Sequence, residues 1–192
     1  MDIYIVRHPE TEGNINKIIY GKSHYPYTTE GKKQFNQIIE SVKEMHLDKI
    51  YSSPLKRVKD LAEEISQIKG MAIHYDERIE EMGFGILEKH TYKEVDELYP
   101  EVYKNYLENY RTYKIPEGES FPEFKRRVLD FIQEVVKEEC ESILILSHGR
   151  VIKEILEFLL NLNSGQGWCF KIKNGCIIQI DYKKGYGQMM LK

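Results

Sequence analysis

Two histidines and an arginine are the side chains on which a reaction would rest. The run Ile3-Tyr4-Ile5-Val6 is short, apolar and partly β-branched, and it stops abruptly at Arg7-His8. The run Ile143-Leu144-Ile145-Leu146 ends the same way, in Ser147-His148-Gly149. Such runs predict strands buried on both faces, and in open α/β sheets ligands bind beyond the carboxyl ends of the strands. Paired imidazoles could ligate a metal ion. Arg7 points elsewhere, because a guanidinium keeps its charge at any ordinary pH, repelling cations and attracting anions. A phosphomonoester is close to doubly charged near pH 7 and offers acceptor oxygens that a guanidinium fork can pair with twice. Gly149 opens a helix-forming segment whose free N–H groups would add to an anion site. The chemistry this pattern predicts is the binding of a phosphate group, with no metal and no cofactor expected.

The elements that must hold these residues alternate between strand and helix patterns. Pro9 cannot donate to a ladder and biases His8 toward extended backbone, so the first strand is predicted to end there. Residues 14–27 read as an ordered loop. Thr28 or Thr29 caps a predicted helix running to about His46, and a strand follows over 49–52. Ser53-Pro54 reads as a serine cap with proline at the first helical position, opening a helix over 55–68 that carries Arg57 in its first turn. A short strand is predicted over 71–75. Residues 77–89, with Glu80, Glu81 and the glycines around Phe84, break the pattern.

Helix resumes at a Thr91–Glu94 capping box. Tyr99, Tyr103, Tyr106, Tyr110 and Tyr113 then fall on one predicted helical stripe, read either as packing surface or as the aromatic face of a lid. A second capping box at Ser120–Glu123 opens a helix to about Lys137 with a core stripe of Phe121, Phe124, Val128, Phe131 and Val135. Asn174-Gly175 reads as a two-residue hairpin and Lys184-Gly185 as a further reversal. The chain is expected to fold as one α/β domain over 1–192. Its predicted architecture is a three-layer α/β/α sandwich with a mostly parallel central sheet and an antiparallel edge strand. The segment around 84–116 is its expected helical cap or lid.

Composition narrows the classes further. A chain of 192 residues with 41% hydrophobic and 31% charged residues fits one globular domain. A net charge of −3 argues against a general nucleic-acid binder and leaves room only for a local basic pocket. No apolar stretch approaches the ~18 residues a membrane span needs. Cys140, Cys169 and Cys176 are widely spaced and odd in number, so free thiols in a cytoplasmic protein are expected. The oligomeric state is not legible.

The string Arg7-His8-Pro9-Glu10-Thr11 with Asn14 resembles the opening motif of the histidine phosphatase superfamily, in its phosphoglycerate mutase-like branch. The resemblance continues through Ser52-Ser53-Pro54-Leu55 with Arg57, Glu81 before Phe84-Gly85 and Glu88, Gly118-Glu119-Ser120 with Arg127, and Ser147-His148-Gly149. It implies that His8 is the nucleophile, that Arg7, Arg57 and His148 bind the phosphoryl oxygens, and that Glu81 protonates the leaving alcohol. It also implies that Thr11, Asn14, Glu119 and Gly149 complete the pocket. A carboxylic acid donates only while it holds a proton, so Glu81 is expected to be sheltered or set beside a carboxylate such as Glu80.

Two positions depart from the pattern. Pro9 and Lys89 stand where the family carries glycine, and Lys89 either adds charge at the mouth or faces water. The activity implied is hydrolysis of small phosphorylated metabolites through a phosphohistidine. The alternatives are a cofactor-dependent phosphoglycerate mutase, and an inactive phosphate-binding module suggested by Pro9. The longer mutases carry inserted segments for which this chain is too compact.

Overall fold

The computed structural model describes residues 1–190. In chain order the elements are β1 (Asp2–Arg7), α1 (Glu12–Ile15), β2 (Ile18–Ile19), α2 (Thr29–Lys43), β3 (Lys49–Ser52), α3 (Lys56–Lys69) and β4 (Ile73–Tyr75). They continue as β5 (His90–Thr91), α4 (Tyr92–Leu98), α5 (Pro100–Glu108), α6 (Phe121–Val135), β6 (Ser142–Ser147), α7 (Gly149–Leu159), β7 (Ile177–Lys183) and β8 (Tyr186–Met190). Among the described residues six strands make the central sheet, in the order β4-β3-β6-β1-β7-β8. The first four run parallel, and β7 lies antiparallel to both β1 and β8. The predicted α/β sandwich with an antiparallel margin is therefore the fold.

Strand alternation divides the core in two. Ile3, Ile5, Ile143 and Ile145 pack with Phe124, Val128, Phe131 of α6 and Ile152, Ile155 of α7 on one face. Val6, Leu144 and Leu146 meet Ile38, Val42 of α2 and Val58, Leu61, Ile65 of α3 on the other. Every residue of β6 is buried, which explains why its apolar run shows no polar alternation. The register pairs Arg7 with Ser147, so the residues that follow, His8 and His148, emerge side by side at one end of the sheet.

Both capping boxes are present, at Thr91 with Glu94 and at Ser120 with Glu123. Three local expectations need correction. The helix after β3 starts at Lys56 with Leu55 at the cap, and the Ser53 hydroxyl is shared between the Leu55 N–H and His148. The tyrosine stripe is not one helix: Pro100 begins a new helix, and Tyr110 and Tyr113 lie beyond its end at Glu108. Tyr106 is buried in the core, and Tyr99, Tyr103, Tyr110 and Tyr113 pack against it.

The third correction concerns Asn174-Gly175, which does not join two strands, since residues 171–173 are irregular. The Gly175 N–H donates to the His8 carbonyl at 3.2 Å, and the turn grips the first strand's exit instead. The reversal at Lys184-Gly185 does link β7 to β8, with φ of 52° and 80° at its two central residues, as a two-residue hairpin of this twist requires.

Candidate active site

His8 and His148 stand with ring centroids 5.3 Å apart and planes tilted by 56°. Both are buried, His8 3% exposed and His148 0%. The Nδ1 atom of His8 lies 2.8 Å from the Pro9 carbonyl oxygen, an acceptor only. That contact fixes the proton on Nδ1 and leaves the lone pair on Nε2. His148 is held from the opposite side of its ring, with Nε2 at 2.8 Å from the Ser53 hydroxyl. The Ser53 oxygen also accepts from the Leu55 N–H at 3.3 Å, which fixes the hydroxyl beneath the ring.

Both guanidiniums close on this pair. Arg57 is 2% exposed, donates to the carbonyls of Gly21 at 2.6 Å and Ser23 at 3.1 Å, and lies 4.7 Å from the Tyr20 ring centroid. Arg7 donates to the Ile172 carbonyl at 2.6 Å. A Cβ at position 149 would sit 3.2 Å from the Arg7 Cζ, so glycine there is what lets the start of α7 approach the guanidinium.

Three buried polar atoms among the described residues lack a partner at this cluster: Arg7 Nε, Arg57 Nε and His148 Nδ1. Two of them are guanidinium N–H donors, and unsatisfied buried donors are what an oxyanion would satisfy. Among the described residues no three His, Cys, Asp or Glu side chains gather where a metal ion could be held.

Burial, and then the field of Arg57, push both imidazoles well below the ordinary histidine value, with Arg7 adding to the effect. Each is therefore neutral at pH 7 and remains so into mild acid. The unfolded chain binds protons first as the pH falls below ~6.5, so this contribution to stability is complete above that value and lost below it. Each histidine steepens the loss by up to ~1.4 kcal/mol per pH unit in that window. Urea unfolding between pH 6.5 and 5 is expected to show a shallower pH slope for His148→Gln than for the parent, and equal slopes would refute the neutral buried state.

Glu81 lines the same cavity of about 320 Å³. Its carboxylate accepts from the Met82 N–H at 3.0 Å and the Arg150 N–H at 3.4 Å. Glu80 is not its partner, because that carboxylate turns to the Lys22 ammonium at 3.1 Å. The segment carrying Glu81 is pinned by Arg127, which donates to the carbonyls of Arg78, Glu80 and Glu81 and pairs with Glu119 at 2.7 Å. Glu119 in turn accepts from the Gly83 N–H at 2.7 Å.

Asn14 and Gly149 line the cavity with Arg7, His8, Arg57 and Glu81, whereas His148, 0% exposed, is not among the lining residues and meets the site through the ring of His8. Thr11 and Glu119 do not line it either. Thr11 is fully buried behind the cavity wall and meets the Tyr20 hydroxyl at 2.5 Å and the Asn14 amide oxygen at 3.0 Å, so it orients wall residues. Glu119 is a brace. Glu88 is another, accepting from the N–H groups of Lys22, Ser23 and Phe84 and so tying the loop beneath Arg57 to the loop after Glu81. Lys89 is exposed with φ of 70°, which accounts for glycine as the usual residue there; its side chain faces water.

The sequence reading missed several residues. Asn174 donates to the His8 carbonyl at 3.2 Å and the Asn14 amide oxygen at 3.1 Å, clasping the loop that carries His8 from outside. Its signal was present but read as a hairpin. Arg150, Lys153, Trp168 and Lys171 also line the cavity, and nothing local in the sequence marks them.

The model of the histidine phosphatase superfamily (branch 1) matches residues 3–191. A probable phosphoglycerate mutase GpmB from Shigella boydii is 31% identical over 198 residues, covering 96% of this chain and 86% of that protein. The crystal structure of alpha-ribazole phosphatase from Shigella flexneri superposes with a TM-score of 0.92 at 25% identity, covering 100% of this chain and 95% of that one. A mutant phosphoserine phosphatase from Entamoeba histolytica, crystallised with phosphoserine, gives a TM-score of 0.79 at 26% identity over 99% and 95% of the two chains.

Proposed function

The chain belongs to the histidine phosphatase superfamily, and from that premise we propose that it hydrolyses small phosphomonoesters through a phosphohistidine on His8, without a metal ion. The observation that carries this reading is the His8 ring, held by the Pro9 carbonyl so that a neutral Nε2 lone pair stands among two guanidiniums and a second imidazole. In the first step the lone pair attacks phosphorus, the P–O bond to the alcohol breaks, and Glu81 gives a proton to the leaving oxygen. Water then attacks the phosphohistidine, its proton returns to Glu81, and the P–N bond breaks to release inorganic phosphate. Arg7, Arg57 and His148 spread the charge of the transferring group throughout, and Asn14 and Gly149 shape its seat.

The segment 84–116 belongs to the proposal as the wall and lid of this site, supported by Phe84 and Tyr92 in the lining. A small phosphorylated metabolite is the substrate class that a cavity of this size supports. Among the described residues no helix is long and apolar enough to cross a membrane. The three free cysteines suit the cytoplasmic setting proposed with this activity.

The likeness to a probable phosphoglycerate mutase gives the mutase reading a specific footing, and one assay separates the two. Purified protein treated with chelator is expected to release phosphate from p-nitrophenyl phosphate at undiminished rate. With 3-phosphoglycerate and 2,3-bisphosphoglycerate present it should yield inorganic phosphate. Activity lost to the chelator and restored by a divalent cation would refute the metal-free mechanism, and 2-phosphoglycerate as the main product would favour the mutase.

A further inference from the structure

The cavity holds more positive charge than a phosphoryl group uses. Five cationic side chains line it, Arg7, Arg57, Arg150, Lys153 and Lys171, against the single carboxylate of Glu81. Arg7 and Arg57 match the two negative charges of a phosphomonoester. Arg150, Lys153 and Lys171 exceed Glu81 by two charges. Among the described residues none of these three has a carboxylate within salt-bridge distance.

The partners that Arg150 does have are neutral. Its guanidinium donates to the hydroxyls of Tyr110 at 3.2 Å and Tyr106 at 3.3 Å, and it lies 4.9 Å from the Phe84 ring centroid and 5.2 Å from that of Trp168. The Lys153 ammonium rests 3.9 Å from the Trp168 ring centroid, which keeps it at the cavity wall although Trp168 itself is 42% exposed. Burial first, and then the fields of Arg150 and Arg7, hold that ammonium below its ordinary value. Three cations facing one carboxylate, two of them held in place by aromatic faces, form a prepared anion site.

We infer that Arg150 and Lys153, with Trp168 as their platform, and Lys171 at the same wall form a second anion subsite that selects phosphomonoesters whose alcohol carries another acidic group. The inference rests on the phosphatase reading and adds the class of leaving group to it. A carboxylate and a second phosphate share the chemistry required, an anionic cluster of oxygens reached by point charges and one planar fork.

Matched substrate pairs test it. The kcat/KM for 3-phosphoglycerate divided by that for glycerol 3-phosphate reads the value of a carboxylate, and fructose 1,6-bisphosphate against fructose 6-phosphate reads that of a second phosphate. The parent is expected to favour the acidic member of at least one pair by about 10-fold or more, and the pair that shows it names the acid. In the double variant Lys153→Gln, Lys171→Gln that ratio should fall about 10-fold, each member of the pair serving as control for the other. Ratios near one in the parent for both pairs, or a ratio the double variant does not move, would overturn the subsite.

Affinities measured by calorimetry in His8→Ala keep the two proposals apart. If no ester is turned over, the phosphatase reading fails. Tighter binding of 3-phosphoglycerate than of glycerol 3-phosphate, or of the bisphosphate than of fructose 6-phosphate, would still support the subsite, and equal affinities in both pairs would refute it.

Discussion

His8→Ala is expected to abolish turnover, lowering kcat by ~10⁴-fold or more, because it removes the atom that forms the bond to phosphorus. His148 cannot take over. Its ring is only 5.3 Å away, but it is fully buried, its Nε2 is engaged by Ser53, and it is not among the residues that line the cavity. The loop around His8 does not depend on the imidazole, since the Gly175 N–H and the Asn174 amide both bind the residue's carbonyl. The variant should therefore fold, and steady-state assays on a folded protein are the check. A His8→Ala protein that kept more than a tenth of the parental rate would place the nucleophile elsewhere.

The second large effect is expected at Arg57. Arg57→Met should lower kcat/KM by ~10³-fold, the loss typical of removing a preorganised charge from a transferring phosphoryl group. The side chain does two things at once, binding the carbonyls of Gly21 and Ser23 with its terminal nitrogens while its charge faces the histidines. Methionine leaves both carbonyls unpaired, so a drop in melting temperature should accompany the kinetic loss. Arg57→Lys separates the two contributions. It restores the charge without the planar fork, and is expected to recover part of the rate and little of the stability. Equal activity in all three proteins would show that Arg57 only supports the fold.

The sequence made legible what is carried by contiguous segments. Arg7-His8 and Ser147-His148 each close an apolar run, which marks two buried strands with a histidine just past each end; that the two strands are neighbours is a property of the sheet order. Arg57 and Glu81 were legible as a matched pattern, since neither the first turn of a helix nor an irregular loop announces chemistry alone. Residues whose roles depend on tertiary placement were misread or unseen. Ser53 has the composition of a helix cap and serves instead as the anchor of an imidazole 95 residues away in sequence. Asn174-Gly175 has the composition of a hairpin turn, but residues 171–173 before it form no strand and the turn clasps His8. Thr11 and Glu119 are polar residues of the motif that stand one layer behind the site. Arg150 and Lys153 lie on α7 among apolar neighbours, and only the turn over Gln166–Cys169, which brings Trp168 beside them, makes them part of a wall.

The covalent intermediate is the claim on which the rest stands, and it can be caught. Rapid mixing with a phosphomonoester radiolabelled at phosphorus, quenched in alkali within the first turnover, should leave one acid-labile, alkali-stable label per active site. Peptide mapping should place it on His8, and the His8→Ala protein should take up none. Turnover without any labelled protein, or a label mapped to another residue, would contradict the mechanism.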